Sequence, residues 1–250
     1  MKSPKTTAFL RVLTLVSNEK RERILSKVID RVERGEKTFV VTLNTVMLMQ
    51  AIEDDEFREH IEKADIILPD GEGVCLAKRL LRKEKVEKIA GIDFAMELIE
   101  ESEKRHWQIF LLGGEKGVAE KAAEELKKRF LKLNVTGIRD GYFSECKEQE
   151  VIKDINKSEA TLLFVGMGTP KQEKWISRNI NKMNCKVFIG IGGALDVWSK
   201  RVKRAPKIMI TMRMEWLYRI SRGPIRRLKY TKMLIKFLLY LIYSSTPDRI

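Results

Sequence analysis

Histidine and cysteine are scarce in this chain of 250 residues: two histidines, His60 and His106, and three cysteines, Cys75, Cys146 and Cys185, all far apart. No CxxC, HExxH or other metal-ligand spacing can be drawn from them, which argues against a structural zinc site and for a reducing cytoplasm. The GxGxxG spacing of a dinucleotide fingerprint and the GK[ST] of a P-loop are also missing, so hydride transfer and ATP hydrolysis are disfavoured. There is no DxD pair, and no apolar run reaches the ~20 residues of a membrane-spanning helix. The opening stretch MKSPKTTAFLRVLTLVSNEK is interrupted by Arg11 and followed by no small-residue cleavage site. It reads as a first strand rather than a signal peptide.

What is present is an ordered core with a basic extension. With 44% hydrophobic and 34% charged residues the chain can bury a full interior, and the simplest division is a core over 1–204 and an appendage over 205–250. From Lys200 to Ile250 six lysines and eight arginines face only Glu215 and Asp248, so +12 of the formal +14 lies in the tail. Such asymmetry calls for a polyanionic partner, nucleic acid or an anionic membrane.

Along the core, apolar runs alternate with amphipathic segments. TFVVTLN, DIILPDG, WQIFLLGG, NVTGI, TLLFVGMG and KVFIGIGG read as strands, separated by helical stretches such as NEKRERILSKVIDRVERG and EKGVAEKAAEELKKRF. Strands that are almost continuously Val, Ile, Leu and Phe are covered on both faces, so the expected fold is α/β: a doubly wound, mostly parallel, Rossmann-like sheet.

In such a sheet ligands bind outside the carboxyl ends of the strands, and this chain places polar residues and glycines there repeatedly. Thr42 and Asn44 follow the first of these strands, Asp70 the second, Gly113 and Gly114 the third; Gly168, Lys171 and Gln172 follow LLFV, and Gly192, Gly193 and Asp196 follow VFIG. Gly113 and Gly114 lead toward a helix N-terminus, where free N–H groups and the helix dipole favour a phosphate. Asp70, within LPDGEG, has two readings: a turn or helix-capping residue, or a base that takes the proton of an attacking hydroxyl.

The ordered motifs TLN (42–44), PDGEG (69–73), AGID (90–93), DGYF (140–143), GTPKQEKW (168–175), GIGGALDVWSKRVKRAP (190–206) and EWLYRISRGPIRR (215–227) resemble the WecG/TagA/CpsF glycosyltransferases of bacterial envelope polysaccharide synthesis. The resemblance runs from about residue 10 to 229. It implies inverting, metal-independent transfer of an N-acetylmannosamine-type sugar from a UDP donor to undecaprenyl-diphosphate-linked N-acetylglucosamine, as in a teichoic-acid linkage unit. The UDP-sugar is a substrate, and no cofactor is implied. Asp70 would be the base with Thr42 beside it. Asn44, Lys88, Gly113, Gly114, Gly168, Lys171, Gln172, Gly192, Gly193 and Asp196 would bind the donor, and Arg219, Arg226 and Lys229 the acceptor diphosphate. Lysines at 88 and 229 replace arginines common in the family, and Leu43 replaces a proline; a lysine is a point charge without the two-pronged fork of arginine.

The donor sugar stays open between N-acetylmannosamine, its uronic acid and related hexoses, as does a homo-oligomer of the core. The tail, with Trp216, Tyr218, Phe237 and Tyr240 among its cations, reads as an interfacial helix of a cytoplasmic enzyme peripheral on the inner face of the cell membrane; packing of the same helix onto the core is the alternative. A nucleic-acid-binding α/β protein is the reading from a different class, and under the glycosyltransferase reading no nucleic acid is bound.

Overall fold

A computed structural model describes residues 4–206, 208, 209 and 224–245, the side chains of 224–232 and 245 excepted. In chain order the elements are α1 (Pro4–Leu15), α2 (Arg21–Glu33), β1 (Thr38–Leu43), α3 (Thr45–Glu53), α4 (Asp55–Glu62), β2 (Ile66–Pro69), α5 (Glu72–Arg82), α6 (Gly91–Arg105) and β3 (Gln108–Gly113). They continue with α7 (Val118–Arg129), β4 (Asn134–Arg139), α8 (Glu148–Lys157), β5 (Leu162–Gly166), α9 (Lys171–Asn179), β6 (Val187–Gly190), α10 (Ala194–Trp198) and α11 (Pro224–Ser245).

The strands form one sheet in the order β2-β1-β6-β5-β3-β4, and every pairing is parallel. Side chains alternate between its faces, as the two-residue strand period requires. Phe39, Val41, Leu43, Phe110, Leu112 and Phe188 face the layer of α1, α3, α4, α5, α8, α9 and α11. Val40, Leu68, Ile109, Leu111, Phe164 and Ile189 face α2, α6, α7 and α10. Strands β1, β2, β3, β5 and β6 are covered on both faces, which is why they read as unbroken apolar runs, whereas the edge strand β4 alternates exposed and half-buried residues.

The stretch expected to be a first strand is a helix instead. Phe9, Val12, Leu13 and Val16 recur at helical spacing and are all fully or almost fully buried. Only Val16 makes a strand-like bridge, to Ile67. Packing of α1 against α3 decides between two periodicities that this stretch satisfies equally well.

Helix α11 closes the same layer. Met233, Phe237 and Leu241 are buried in the core, and the Phe237 ring meets Phe9 edge-on at 6.2 Å between centroids. The opposite face carries Ile235, Leu238, Leu239, Ile242 and Tyr243, each about half exposed or more. Of the aromatics expected at a membrane interface, Phe237 and Tyr240 pack instead on Phe9 of the core, and Trp216 and Tyr218 lie outside the described residues; what the structure shows is the core-packed face of this helix.

Two connections locate the crevice. From β3 the chain leads outward to its neighbour β4, and from β5, the other neighbour of β3, it leads the opposite way to β6. Such a divergence opens a cleft at the carboxyl ends of adjacent strands.

Candidate active site

The site is built from turns at that end of the sheet. Asp70 follows β2 directly, and its backbone N–H donates to Leu43 O at 2.9 Å and Leu68 O at 3.0 Å, which fixes the turn against the end of β1. The helix that follows is capped by Gly71, at φ +121, a conformation that favours glycine, with no side-chain hydrogen bond at the cap.

Three helix N-termini meet around this turn. Asn44 caps α3, its side-chain oxygen accepting from the N–H groups of Val46 at 2.9 Å and Met47 at 3.1 Å. Gly73 of α5 lies so close to α3 that an added Cβ would sit 2.2 Å from Thr45 Oγ1. Gly91 opens α6 against the Thr42 side chain, where a Cβ would lie 2.7 Å away. Close approach of positive helix ends makes this corner favourable for an anion.

Thr42 is buried, and its hydroxyl donates to Gly190 O on β6 at 3.3 Å. Ile89 N–H donates to Pro69 O at 3.0 Å and so draws the segment before α6 alongside Asp70. Lys88 of that segment lies 3.6 Å from Glu72.

The second half of the crevice lies over β3, β5 and β4. Gly113 pairs with Gly166 across the sheet, and a Cβ on it would meet Gly166 O at 2.4 Å. The turn after β3 differs from the phosphate-ready loop expected of it. Gly114 N–H donates to Gly166 O at 3.1 Å and Gly141 N–H to Gly114 O at 3.0 Å, while α7 starts only at Val118 behind Gly117. The glycines here let three loops touch, and the Gly114 amide is used within the protein.

Lys171, first residue of α9, donates to Gly141 O at 3.1 Å and lies 5.5 Å from the Phe143 ring centroid. An open cavity of about 460 Å³ beside it is lined by Glu115, Lys116, Asp140 and Tyr142. A smaller one of about 240 Å³ sits at the opposite, amino end of β2, away from all these loops.

Gln172 is almost fully buried. Its Oε1 accepts from Gly168 N–H at 3.2 Å and Gly192 N–H at 3.0 Å, joining the loop after β5 to the loop after β6. Its Nε2 donates to Glu173 Oε1 at 2.6 Å. Gly193 caps α10, and Asp196 lies in that helix's first turn.

Of the acceptor cations, Arg219 lies outside the described residues. Arg226 and Lys229 fall in α11, their side chains outside the described ones.

Glu173 is the residue that sequence reasoning missed. Only 1% exposed, it accepts from Gln172 and from Thr169 Oγ1 at 3.3 Å, and burial pushes its carboxyl up from 4.5 to about 7. Its position three before Ile176 and seven before Ile180, on the face α9 turns inward, is the signal that could have found it. A carboxyl whose folded value is raised contributes stability that is complete below about pH 4.5 and lost as pH rises through about 7. The E173Q variant has no such loss, so its melting temperature should rise relative to wild type from pH 4.5 to 7 and keep a constant lead above that, as thermal unfolding at pH 5, 6, 7 and 8 would record.

Among the described residues no group of three or more His, Cys, Asp or Glu side chains is arranged to hold a metal ion.

A parallel α/β sheet thus gathers an acid, a threonine and helix N-termini at its carboxyl edge, beside a corner that favours an anion. The model of the glycosyl transferase WecG/TagA/CpsF family matches residues 10–249, and the chain belongs to that family. Relatives named N-acetylglucosaminyldiphosphoundecaprenol N-acetyl-beta-D-mannosaminyltransferase include one from Bacillus spizizenii, 32% identical over 78% of this chain and 75% of that protein. Others are from Bacillus subtilis, 34% identical over 75% and 72% of the two chains, and from Staphylococcus aureus, 34% identical over 72% and 70%. The protein is a glycosyltransferase.

Proposed function

We propose that the chain transfers N-acetylmannosamine, or a close relative such as its uronic acid, from a UDP donor to undecaprenyl-diphosphate-linked N-acetylglucosamine, with inversion and without a metal. The observation that carries this reading is Asp70, pinned by its backbone at the carboxyl end of β2 and ringed by the N-termini of α3, α5 and α6. A carboxylate there takes the proton of the attacking sugar hydroxyl, and direct attack on the anomeric carbon inverts it. Charge gathering on the departing UDP is met by the positive helix ends and by cations such as Lys171. Thr42 and Asn44 line the same corner. The Gln172 clamp keeps the loops after β5 and β6 together around the donor, and Arg219, Arg226 and Lys229 hold the acceptor diphosphate.

The acceptor carries a polyprenyl chain, so the enzyme works at a membrane surface, in this reading the inner face of the cell membrane. No helix among the described residues is long and apolar enough to cross a membrane; the outward apolar face of α11 supports attachment from one side.

A panel of UDP-sugars with a short-chain lipid-diphosphate acceptor, read by mass detection of the disaccharide, tests the reading. Product from UDP-N-acetylmannosamine supports it, and absence of product from every donor overturns it. Transfer should also persist in EDTA. Loss of turnover on chelation with recovery on adding Mg²⁺ or Mn²⁺ would show that a metal rather than protein groups stabilises the leaving group.

A further inference from the structure

We propose that Glu173 is a positioning residue for the donor site: its ionised carboxylate fixes the orientation of the Gln172 amide, and through it the loops that follow β5 and β6. The proposal rests on the donor binding in this crevice, as argued above.

The amide of Gln172 has two faces of opposite character, and only one orientation suits its surroundings. Its oxygen must meet the N–H groups of Gly168 and Gly192, and its nitrogen must meet Glu173. A carboxylate only accepts hydrogen bonds, so it forces the nitrogen toward itself. A protonated carboxyl, or a glutamine, can donate as well as accept and leaves the reverse orientation open, in which an NH₂ would confront two N–H donors. Thr169 adds a second donor to the same oxygen, Oε1. Glu173 Oε2 has no hydrogen-bond partner among the described residues. What this glutamate supplies and a glutamine would not is therefore the acceptor-only character of Oε1.

The surroundings are fitted to this pair. A Cβ on Gly190 would lie 2.6 Å from Gln172 Nε2 and 3.0 Å from Glu173 Oε1, so the end of β6 leaves room for these two side chains only because it is glycine. No cation neutralises the carboxylate among the described residues. On α9, Lys171 reaches Gly141 O, Lys174 reaches Asp54 and Glu56, and Arg178 reaches Glu56. On α4, His60 meets Ser177 and Arg58 meets Asp55, and strands β1 and β6 carry no titratable side chain. The other acids at this end of the sheet include Asp70, Glu72, Asp93, Glu115, Asp140 and Asp196. Burial without a counterion leaves the group titrating at about 7, so its ionisation changes across neutral pH.

The test uses the full chain with E173Q, which keeps the shape of the side chain, and E173A. Steady-state kinetics should show donor KM raised about tenfold in E173Q with kcat nearly unchanged, the difference between a charge-assisted and a neutral hydrogen bond. Wild-type donor KM should rise as pH falls through about 7, and this dependence should vanish in E173Q. A role in packing alone would leave the isosteric variant with wild-type KM at every pH, and that result would overturn the proposal. A second readout needs no substrate: the amide proton shifts of Gly168 and Gly192, followed by NMR, should titrate near pH 7 in the wild type and not in E173Q. Titrating amides in a wild type that transferred no sugar would sink the proposed function and uphold the clamp. Amides that ignore pH would sink the clamp, whatever the transfer assay gave.

Discussion

Asp70→Asn is expected to lower turnover by roughly 10²-fold or more, the range associated with removing a positioned general base, while the protein stays folded and still binds UDP. The asparagine keeps the shape of the side chain and can serve a turn, but it cannot take a proton. The backbone hydrogen bonds from residue 70 to Leu43 and Leu68 involve its N–H and survive the exchange, and the cap of α5 is Gly71. Turnover measured under saturating donor and acceptor, beside calorimetric UDP binding and a thermal melt, separates the possibilities. Near-wild-type turnover would make Asp70 a turn residue and remove the base from the proposed mechanism. Lost UDP binding together with lost turnover would place it in donor binding instead.

Much of this site could be read before the fold was seen, because a parallel sheet collects the residues after each strand at one edge. Apolar runs such as FVV, IIL, IFLL and LLFV mark their own ends: Thr42 and Gly113 follow directly, Asp70 one residue later, and Gln172 beyond a short loop at the start of the next helix. The same logic failed at the first element. In TTAFLRVLTLV, Leu10, Val12, Thr14 and Val16 alternate as a strand would, while Phe9, Val12, Leu13 and Val16 repeat as a helix would, and only contact with α3 and α11 selects the second. Chain order did not reveal which amides are used up internally. Gly114, Gly168 and Gly192 look like phosphate-binding glycines in sequence, yet each N–H donates within the protein. Nor did composition show Glu173, because a glutamate among lysines in PKQEKW has the look of a solvated helix start, and only its helical spacing to Ile176 and Ile180 marks the inward face.

The tail is where the two faces of one helix can be separated by mutation. Replacing Leu238, Leu239 and Ile242 together by serine should abolish co-sedimentation with anionic vesicles and leave the melting temperature within a few degrees of wild type, because all three side chains are about half exposed or more and face away from the core. Each apolar side chain moved out of water contributes about 1.5 kcal/mol or more, so the triple change weakens attachment by roughly 10³-fold. Phe237→Ala should do the reverse: it empties a fully buried site beside Phe9, should cost about 3–5 kcal/mol of stability, and should leave the vesicle-facing surface in place. Truncation after Ala205 mixes these effects, since it removes the outer face, uncovers the core beneath Met233, Phe237 and Leu241, and deletes Arg219 and Arg226 at once. Single changes resolve the remaining role. Arg219→Ala or Arg226→Ala should keep vesicle binding nearly intact, as each cation near an anionic surface contributes only about 1 kcal/mol, yet sharply reduce transfer by removing a charge-assisted contact to the acceptor diphosphate. Lys236 is a control among the tail cations, because it already pairs with Glu53 of α3 at 2.5 Å, and Lys236→Ala should disturb neither readout. Vesicle binding by the triple serine variant at wild-type strength would show that the outer face of α11 is not the attachment surface, and would turn the search for it to the charged residues alone.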